Sequence, residues 1–401
     1  MKNIAFVSYE YPPDTGFGGI ATYVYQIANA FAKREIKVFV VCGTKNKSTF
    51  TQTGNLAIFK IHSKTQSEFH LLAPKKLAEI HNKEKLEIIE VPDFGGDGLN
   101  IKKHMPDVPL IVKLHTPTYL VKKLNNYYYY KRWYKKYFSF RKYNCLKDPE
   151  YLAAIQANYI LSPSHSLKKI ISEDWKIEPA KIFFAPNPYI PKEDLYLQAG
   201  TRKSNIVLYI GRLETRKGVY NLAKAIPDVI KEVPDVHFVF VGSDTVDPYR
   251  KPGMKSFLTK ILQAQSQHVT FIDHVPLEQI SDFYKDASVC IFPSIWENFP
   301  NVCLEAMSAG KIIIASKNGG MYEMLTDING GIIVDPHQTS EIAAACITAL
   351  NDKKLYAEMG RRAQIKVTAF YGDTLITKLL ELYDNLSKGI TSAELKLNGQ
   401  T

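Results

Sequence analysis

At 401 residues, 45% hydrophobic and 23% charged, the chain exceeds what one core usually serves and has the balance of an ordinary globular protein, so two domains are expected. No apolar run approaches the ~20 residues of a membrane span, and the five cysteines, Cys42, Cys145, Cys290, Cys303 and Cys346, stand singly with no metal-ligand spacing, which suits a reducing cytoplasm. The net charge of +11 is lopsided: residues 1–190 hold 28 Lys and Arg against 16 Asp and Glu, whereas residues 191–401 hold 23 against 24.

The amino terminus, MKNIAFVSYEYPP, carries one lysine and a strand-length apolar run rather than a signal peptide, so residues 1–9 are expected to supply the first strand. The cluster Asp14-Thr-Gly16-Phe-Gly18-Gly19 follows and opens a helix over 20–31. It is not a G-x-G-x-x-G fingerprint, and no acidic residue falls about twenty positions on in the right setting, which weakens a dinucleotide reading. Close backbone approach to a phosphate at a helix amino end stands beside a plain turn as its explanation. Further strands are expected at 37–41, 56–61, 86–90, 110–114, 159–161 and 182–185.

Between them, residues 122–142 (KKLNNYYYYKRWYKKYFSFRK) combine eight basic side chains with nine aromatics and no acid. That mixture suits an anionic membrane interface, where each cation contributes about 1 kcal/mol. Inward-packed aromatics under a solvated basic face are the bland alternative, and stacking on single-stranded nucleic acid is not expected. Prolines and polar residues crowd 186–204, where the interdomain linker is placed. Second-half strands are expected at 206–210, 237–241, 269–272, 289–292, 311–315 and 331–334, with a last helix over 373–388. Helix-period stretches separate most of these strands, which argues for an α/β chain with two doubly wound parallel sheets.

Two motifs carry chemistry. In IFPSIWENFPNVCLEAMSAG at 291–310, Glu297 belongs to the loop after a buried strand and Glu305 to the helix behind it, with Pro300 suited to the first turn. Carboxylates beyond the carboxyl end of a parallel strand accept hydrogen bonds from sugar or ribose hydroxyls, while helix amides attract phosphate. A capping carboxylate plus an ordinary solvated one is the alternative. In GRLETRKG at 211–218, Gly211 gives a tight exit from the sheet and Arg212 and Lys217 are presented at the strand end. An Arg fork and a mobile Lys charge suit a diphosphate leaving group whose negative charge grows; a solvated basic turn is the bland reading.

Together these motifs, with KIIIASKNGGMYEML at 311–325, YPPDTGFGGIATYVYQIANAF at 11–31, EVPDFGG at 90–96 and KLHTP at 113–117, resemble the retaining sugar-nucleotide transferases of glycosyltransferase family 4. The likeness runs from about residue 3 to about residue 385. It implies a GT-B fold: an acceptor-side Rossmann-like domain over 1–190, a nucleotide-sugar-binding one over 191–372 facing it across a cleft, and a helix and tail over 373–401 returning to the first.

The resemblance also implies site roles. Arg212 and Lys217 stabilise the departing diphosphate, helped by the helix amides after Pro300, with Asn298, Phe299 and Asn301 alongside. Glu297 holds a donor-sugar hydroxyl and Glu305 the ribose hydroxyls. His115 lies beside the reactive face of the sugar, and Gly18 and Gly19 border the diphosphate and the acceptor. The nucleotide base rests at the turn after 269–272, here Asp273-His274-Val275 in place of the common glycine-led turn. Asn298 replaces a frequent glycine, Asn187-Pro188 stands where Asn-Gly is common, and the loop 242–255 is longer than usual. The implied activity is metal-independent hexosyl or hexosaminyl transfer from a nucleotide-diphosphate sugar, UDP-linked in the first instance, to a glycan or lipid-linked acceptor. No metal or cofactor is expected. The expected location is cytoplasmic, with peripheral attachment to the inner face of the membrane through 122–142 as its extension. Glu297 and Glu305 acting as the acid and nucleophile of a glycoside hydrolase is a competing mechanism, but an Arg/Lys pair is not needed to cleave a neutral glycoside. A GT-B epimerase or phosphorylase and a non-catalytic binder are the remaining alternatives.

Overall fold

A computed structural model describes residues 1–16, 18–125, 143–190, 195, 204–245, 253–273, 275–276 and 279–390, apart from the side chains of 353, 355 and 356. Most of the expected linker from 191 on, most of the basic aromatic segment, part of the 242–255 loop, and His274 therefore lie outside the described residues. The chain divides into two compact units, the first drawing on residues 1–120, 143–190 and 370–390 and the second on 121–125 and 195–369.

The first unit is built on an eight-stranded sheet in the order β3-β4-β2-β1-β5-β6-β7-β8. Its strands are β1 (Asn3–Ser8), β2 (Lys37–Thr44), β3 (Thr49–Thr53), β4 (Leu56–His62), β5 (Ile88–Pro92), β6 (Leu110–Lys113), β7 (Tyr159–Ser162) and β8 (Ile182–Phe184). β1 sits between β2 and β5, in register Ile4↔Val38 and Ile4↔Ile88, and Ile4, Ala5, Phe6 and Val7 are all buried. A strand covered on both faces needs continuous apolar sequence, which is why this run reads so plainly.

β3 departs from the parallel expectation. It is exposed along its length and pairs antiparallel with β4, Thr53 opposite Leu56 across the two-residue turn Gly54-Asn55. Gly54 takes φ +56°, as the first residue of a tight hairpin turn requires. With polar Thr and Gln around a single Phe, TFTQT had no buried face to announce it. The expected strand at 86–90 begins later, at Ile88.

The Gly19–Ala32 helix buries Ile27, Ala28 and Phe31 in the core of this unit. The Gly372–Ser387 helix adds Leu375, Ile376, Leu379, Leu382, Tyr383 and Leu386 to the same cluster, with the Tyr383 ring edge-on to Phe31 at 5.5 Å. Ion pairs tie the amino terminus to Asp384 and Arg34 to Asp373.

The second unit carries six strands, all parallel: β9 (Ile206–Ile210), β10 (His237–Val241), β11 (Val269–Ile272), β12 (Val289–Phe292), β13 (Ile312–Ser316) and β14 (Ile332–Val334). Their order is β11-β10-β9-β12-β13-β14, so the winding reverses between β9 and β12. At such a switch point the loops leaving adjacent strands diverge and open a crevice. In the first unit the reversal falls between β1 and β5.

Leu379 is 2% exposed, so Leu379→Ala is expected to cost about 2–5 kcal/mol through lost burial and the cavity left behind. Urea unfolding followed by circular dichroism reads this as an earlier transition of the first unit. An unchanged transition would mean that the helix adds nothing to that core.

Candidate functional site: a buried carboxylate between two cations

The loop leaving β9 runs through a turn at Thr215–Lys217 into the Val219–Glu232 helix. The loop leaving β12 runs from Pro293 to Pro300, which caps the Asn301–Ser308 helix rather than entering its first turn. The two loops meet backbone to backbone. Gly218 has φ +74°, and a β-carbon there would lie 1.8 Å from the Pro293 carbonyl oxygen. Beside this contact, the Ile295 N–H donates to the Arg216 carbonyl at 2.8 Å. On the far side Gly319, with φ +96°, presses against the Glu297 backbone, where a β-carbon would stand 2.0 Å from the carbonyl oxygen; the Gly320 N–H donates to that same oxygen at 2.9 Å. Glu297 is thus clamped between the loops after β9 and β13.

Its side chain is buried and meets two cations. Lys217 donates to Oε2, and one terminal nitrogen of Arg216 lies 3.3 Å from each carboxylate oxygen. The other terminal nitrogen of Arg216 pairs with Glu214 at 2.8 Å, and Glu214 also faces Arg212 at 3.3 Å. Burial alone would raise the Glu297 pKa, but Lys217 and then Arg216 overcome it and hold the carboxyl down at about 2. Arg212, by contrast, keeps 57% of its side chain in solvent.

The structure therefore brings Lys217 and Glu297 into direct contact and places Arg212 one carboxylate away from Arg216. Glu305 lies half-buried in the Asn301–Ser308 helix and accepts from the Tyr284 hydroxyl at 2.9 Å. Asn298 is buried, Phe299 half-buried, and Asn301 exposed as the first residue of that helix. Val275 is half-buried just beyond β11, and His274 is outside the described residues.

The remaining expected residues belong to the first unit. His115 follows β6; its N–H donates to Asp93 at 3.0 Å, its Nδ1 lies 3.5 Å from the same carboxylate, and its ring stands edge-on to Tyr23 at 5.3 Å. Beneath it Lys113 is fully buried, with Nζ 5.2 Å from the centre of the Tyr23 ring. Burial pushes the neighbouring Glu90 carboxyl up to about 7, with Lys113 pulling the other way. Gly18 caps the Gly19–Ala32 helix, and among the described residues a β-carbon on Gly18 or Gly19 would meet no atom within 4 Å. The fold itself thus does not demand glycine at either position, and both border open space.

Sequence reasoning assigned no role to Arg216, Glu214 or Tyr284. The first two sit inside the GRLETRKG motif, where the turn at Thr215–Lys217 brings them together. Tyr284 precedes Glu305 by 21 positions on a different helix, and no local pattern links them.

Comparison with known proteins agrees with this architecture. Residues 198–366 match the family described as Glycosyl transferases group 1, and residues 17–192 match Glycosyltransferase Family 4. The chain belongs to this family of glycosyltransferases. It is 24% identical over 371 residues to an uncharacterised glycosyltransferase of Methanocaldococcus jannaschii, spanning 87% of this chain and 89% of that protein. It is 31% identical over 196 residues to spore coat protein SA of Bacillus subtilis, covering 48% of this chain and about half, 52%, of that relative. A lipopolysaccharide 1,2-N-acetylglucosaminetransferase of Salmonella typhimurium is 29% identical over 53% of this chain and 58% of its own. Among solved structures, a sucrose-phosphate synthase from Thermosynechococcus elongatus superimposes with TM-score 0.72 at 21% identity, covering 97% of this chain and all of that one. HepE of Anabaena, in complex with UDP, gives 0.67 at 17% over 96% of this chain and 100% of its own. These likenesses show the fold, GT-B, with two doubly wound α/β units.

Because the Glu297 pKa is depressed in the fold, its stabilising contribution is complete above the ordinary value of 4.5 and is lost as pH falls from there toward about 2. Wild type is therefore expected to lose more stability between about pH 5 and about pH 3 than Glu297→Gln, compared by urea unfolding. Equal losses would mean that Glu297 is not held as a buried carboxylate.

Proposed function

We propose that this glycosyltransferase moves a hexosyl or hexosaminyl group from a nucleotide-diphosphate donor, UDP-linked, to a glycan or lipid-linked acceptor, retaining the anomeric configuration. Its place would be the cytoplasmic stage of cell-surface polysaccharide or glycolipid synthesis. The observation that carries the reading is the convergence of Lys217 and Arg216 on buried Glu297 at the switch point of the second unit, with Arg212 exposed on the same loop. Breaking the bond between sugar and diphosphate leaves positive charge on the sugar and negative charge on the diphosphate. Arg212 and Lys217 would meet the latter, so this reading calls for no metal. Glu297, held as a carboxylate, would accept a hydrogen bond from a donor-sugar hydroxyl, and Glu305 from the ribose. A carboxylate held near pKa 2 is a poor general acid at neutral pH, which weighs against the hydrolase mechanism. UDP as the nucleotide is supported by the HepE structures, which are complexes with UDP and with UDP-glucose. A saccharide acceptor is supported by the Salmonella relative, itself a lipopolysaccharide transferase by name.

Incubation with UDP-, GDP- and ADP-sugars without acceptor, followed by NMR, tests the reading. Slow nucleotide release from the UDP-sugar is expected, falling about 10²–10³-fold in Lys217→Ala. Release from GDP- or ADP-sugars alone would contradict the donor assignment, and an isomerised sugar would replace transfer with epimerisation.

The proposed membrane contact of 122–142 rests on its sequence, eight cations among nine aromatics. Anionic vesicles are expected to float the protein and neutral ones to leave it behind. Equal failure with both would exclude that contact.

A further inference from the structure

Within the charge cluster of the second unit, Arg216 and Lys217 are held very differently. Arg216 is 6% exposed and lies between two acids, Glu214 at 2.8 Å and Glu297 at 3.3 Å. Its backbone is locked as well, through the hydrogen bond from Ile295 at 2.8 Å. A guanidinium braced at both ends cannot swing outward without abandoning two buried carboxylates. Lys217 is a point charge on a flexible stem, with Glu297 as its ion-pair partner. Of the two, Lys217 can leave at the smaller cost.

A diphosphate arriving at this loop would compete for Lys217. Glu297 would then be a buried carboxylate with one cation fewer, and a buried acid without a cation takes up a proton. Protonated, it would become a hydrogen-bond donor and lose its fixed polarity toward a sugar hydroxyl. We propose that Arg216 is the positioning residue that keeps Glu297 anionic and in place when Lys217 turns from it to a donor diphosphate. The inference rests on the donor reading above and divides the loop's cations by task. Arg212 and Lys217 serve the phosphates; Arg216 serves the carboxylate.

Among the described residues, other groups on the elements packed around Glu297 do not offer the same service. Tyr209 on β9 is buried, and burial raises its pKa far above the ordinary value, so it stays neutral. Glu214 faces Arg216 and carries the wrong sign. Lys317, on the loop after β13, pairs with Asp335 at 2.9 Å. The Gly320 N–H is spent on the Glu297 backbone carbonyl.

The test reads the Glu297 carboxyl directly, by carbon-13 NMR of the glutamate-labelled full chain, with its signal assigned by loss in Glu297→Gln. Between about pH 4 and about pH 8, the wild-type signal is expected to stay that of a carboxylate. Lys217→Ala imitates the lysine's departure, and Glu297 is expected to remain silent in that window. In Arg216→Gln/Lys217→Ala the signal is expected to titrate inside it, a rise of at least about two pH units. Titration of Glu297 in Lys217→Ala alone would overturn the proposal, and that single variant decides if the double variant does not fold. With millimolar UDP, Arg216→Gln is expected to titrate inside the window while wild type does not; a silent Arg216→Gln with UDP bound would also overturn it. If UDP does not bind wild type, the donor reading fails on its own account, and the Lys217→Ala result still judges Arg216.

Discussion

The structure of the candidate site depends on the removal of one carboxylate, Glu297, from water and its pairing there. An ionised carboxylate in a protein interior costs several kcal/mol unless cations and hydrogen bonds replace its hydration. Here the replacements come from the neighbouring loop, Arg216 and Lys217, and they outweigh burial. That requires the loops after β9 and β12 to lie side by side, which follows from a strand order that puts β9 next to β12. It also requires close backbone contact, which Gly218 and Gly319 permit where a β-carbon would collide with a carbonyl oxygen. Topology, glycine placement and ion pairing thus form one constraint with three expressions.

The cost of assembling this charge is met by folding, before any ligand arrives. Charges already gathered in a largely desolvated setting need less rearrangement when charge develops on a bound substrate, here the swing of Lys217 alone, which is where such arrays gain their effect. The first unit shows a related arrangement at its own winding reversal. Buried Lys113, Glu90 and Asp93 stand behind His115, around the ends of β5 and β6. The open space at Gly18 and Gly19 lies after β1, the other strand of that reversal.

The sequence was most legible where burial is total. Strands β9 and β12 are unbroken, almost wholly buried apolar runs at the centre of a parallel sheet, and their expected bounds match the observed ones closely; β10 and the half-buried edge strand β11 (VTFI) were bounded as well, by shorter apolar runs. β3 was not legible, since an exposed edge hairpin has no core face to imprint on its residues. Lys217 and Glu297 stood out through the glycines and the strand end beside them. Arg216 did not, because its role comes from a residue 81 positions away, and separation in sequence hides such a pair. Tyr284 was hidden for the same reason. The roles implied for His274 and for most of 122–142 fall outside the described residues.

The donor reading and the role proposed for Arg216 both require that a nucleotide diphosphate draw Lys217 away from Glu297 at the switch point of the second unit. A crystal structure of the full chain with UDP tests this most directly. The diphosphate is expected within about 3 Å of the Lys217 ammonium and the Arg212 guanidinium, with Arg216 still bridging Glu214 and Glu297. UDP bound elsewhere, or bound there with Lys217 still on Glu297 and Arg216 turned to the phosphates, would contradict it.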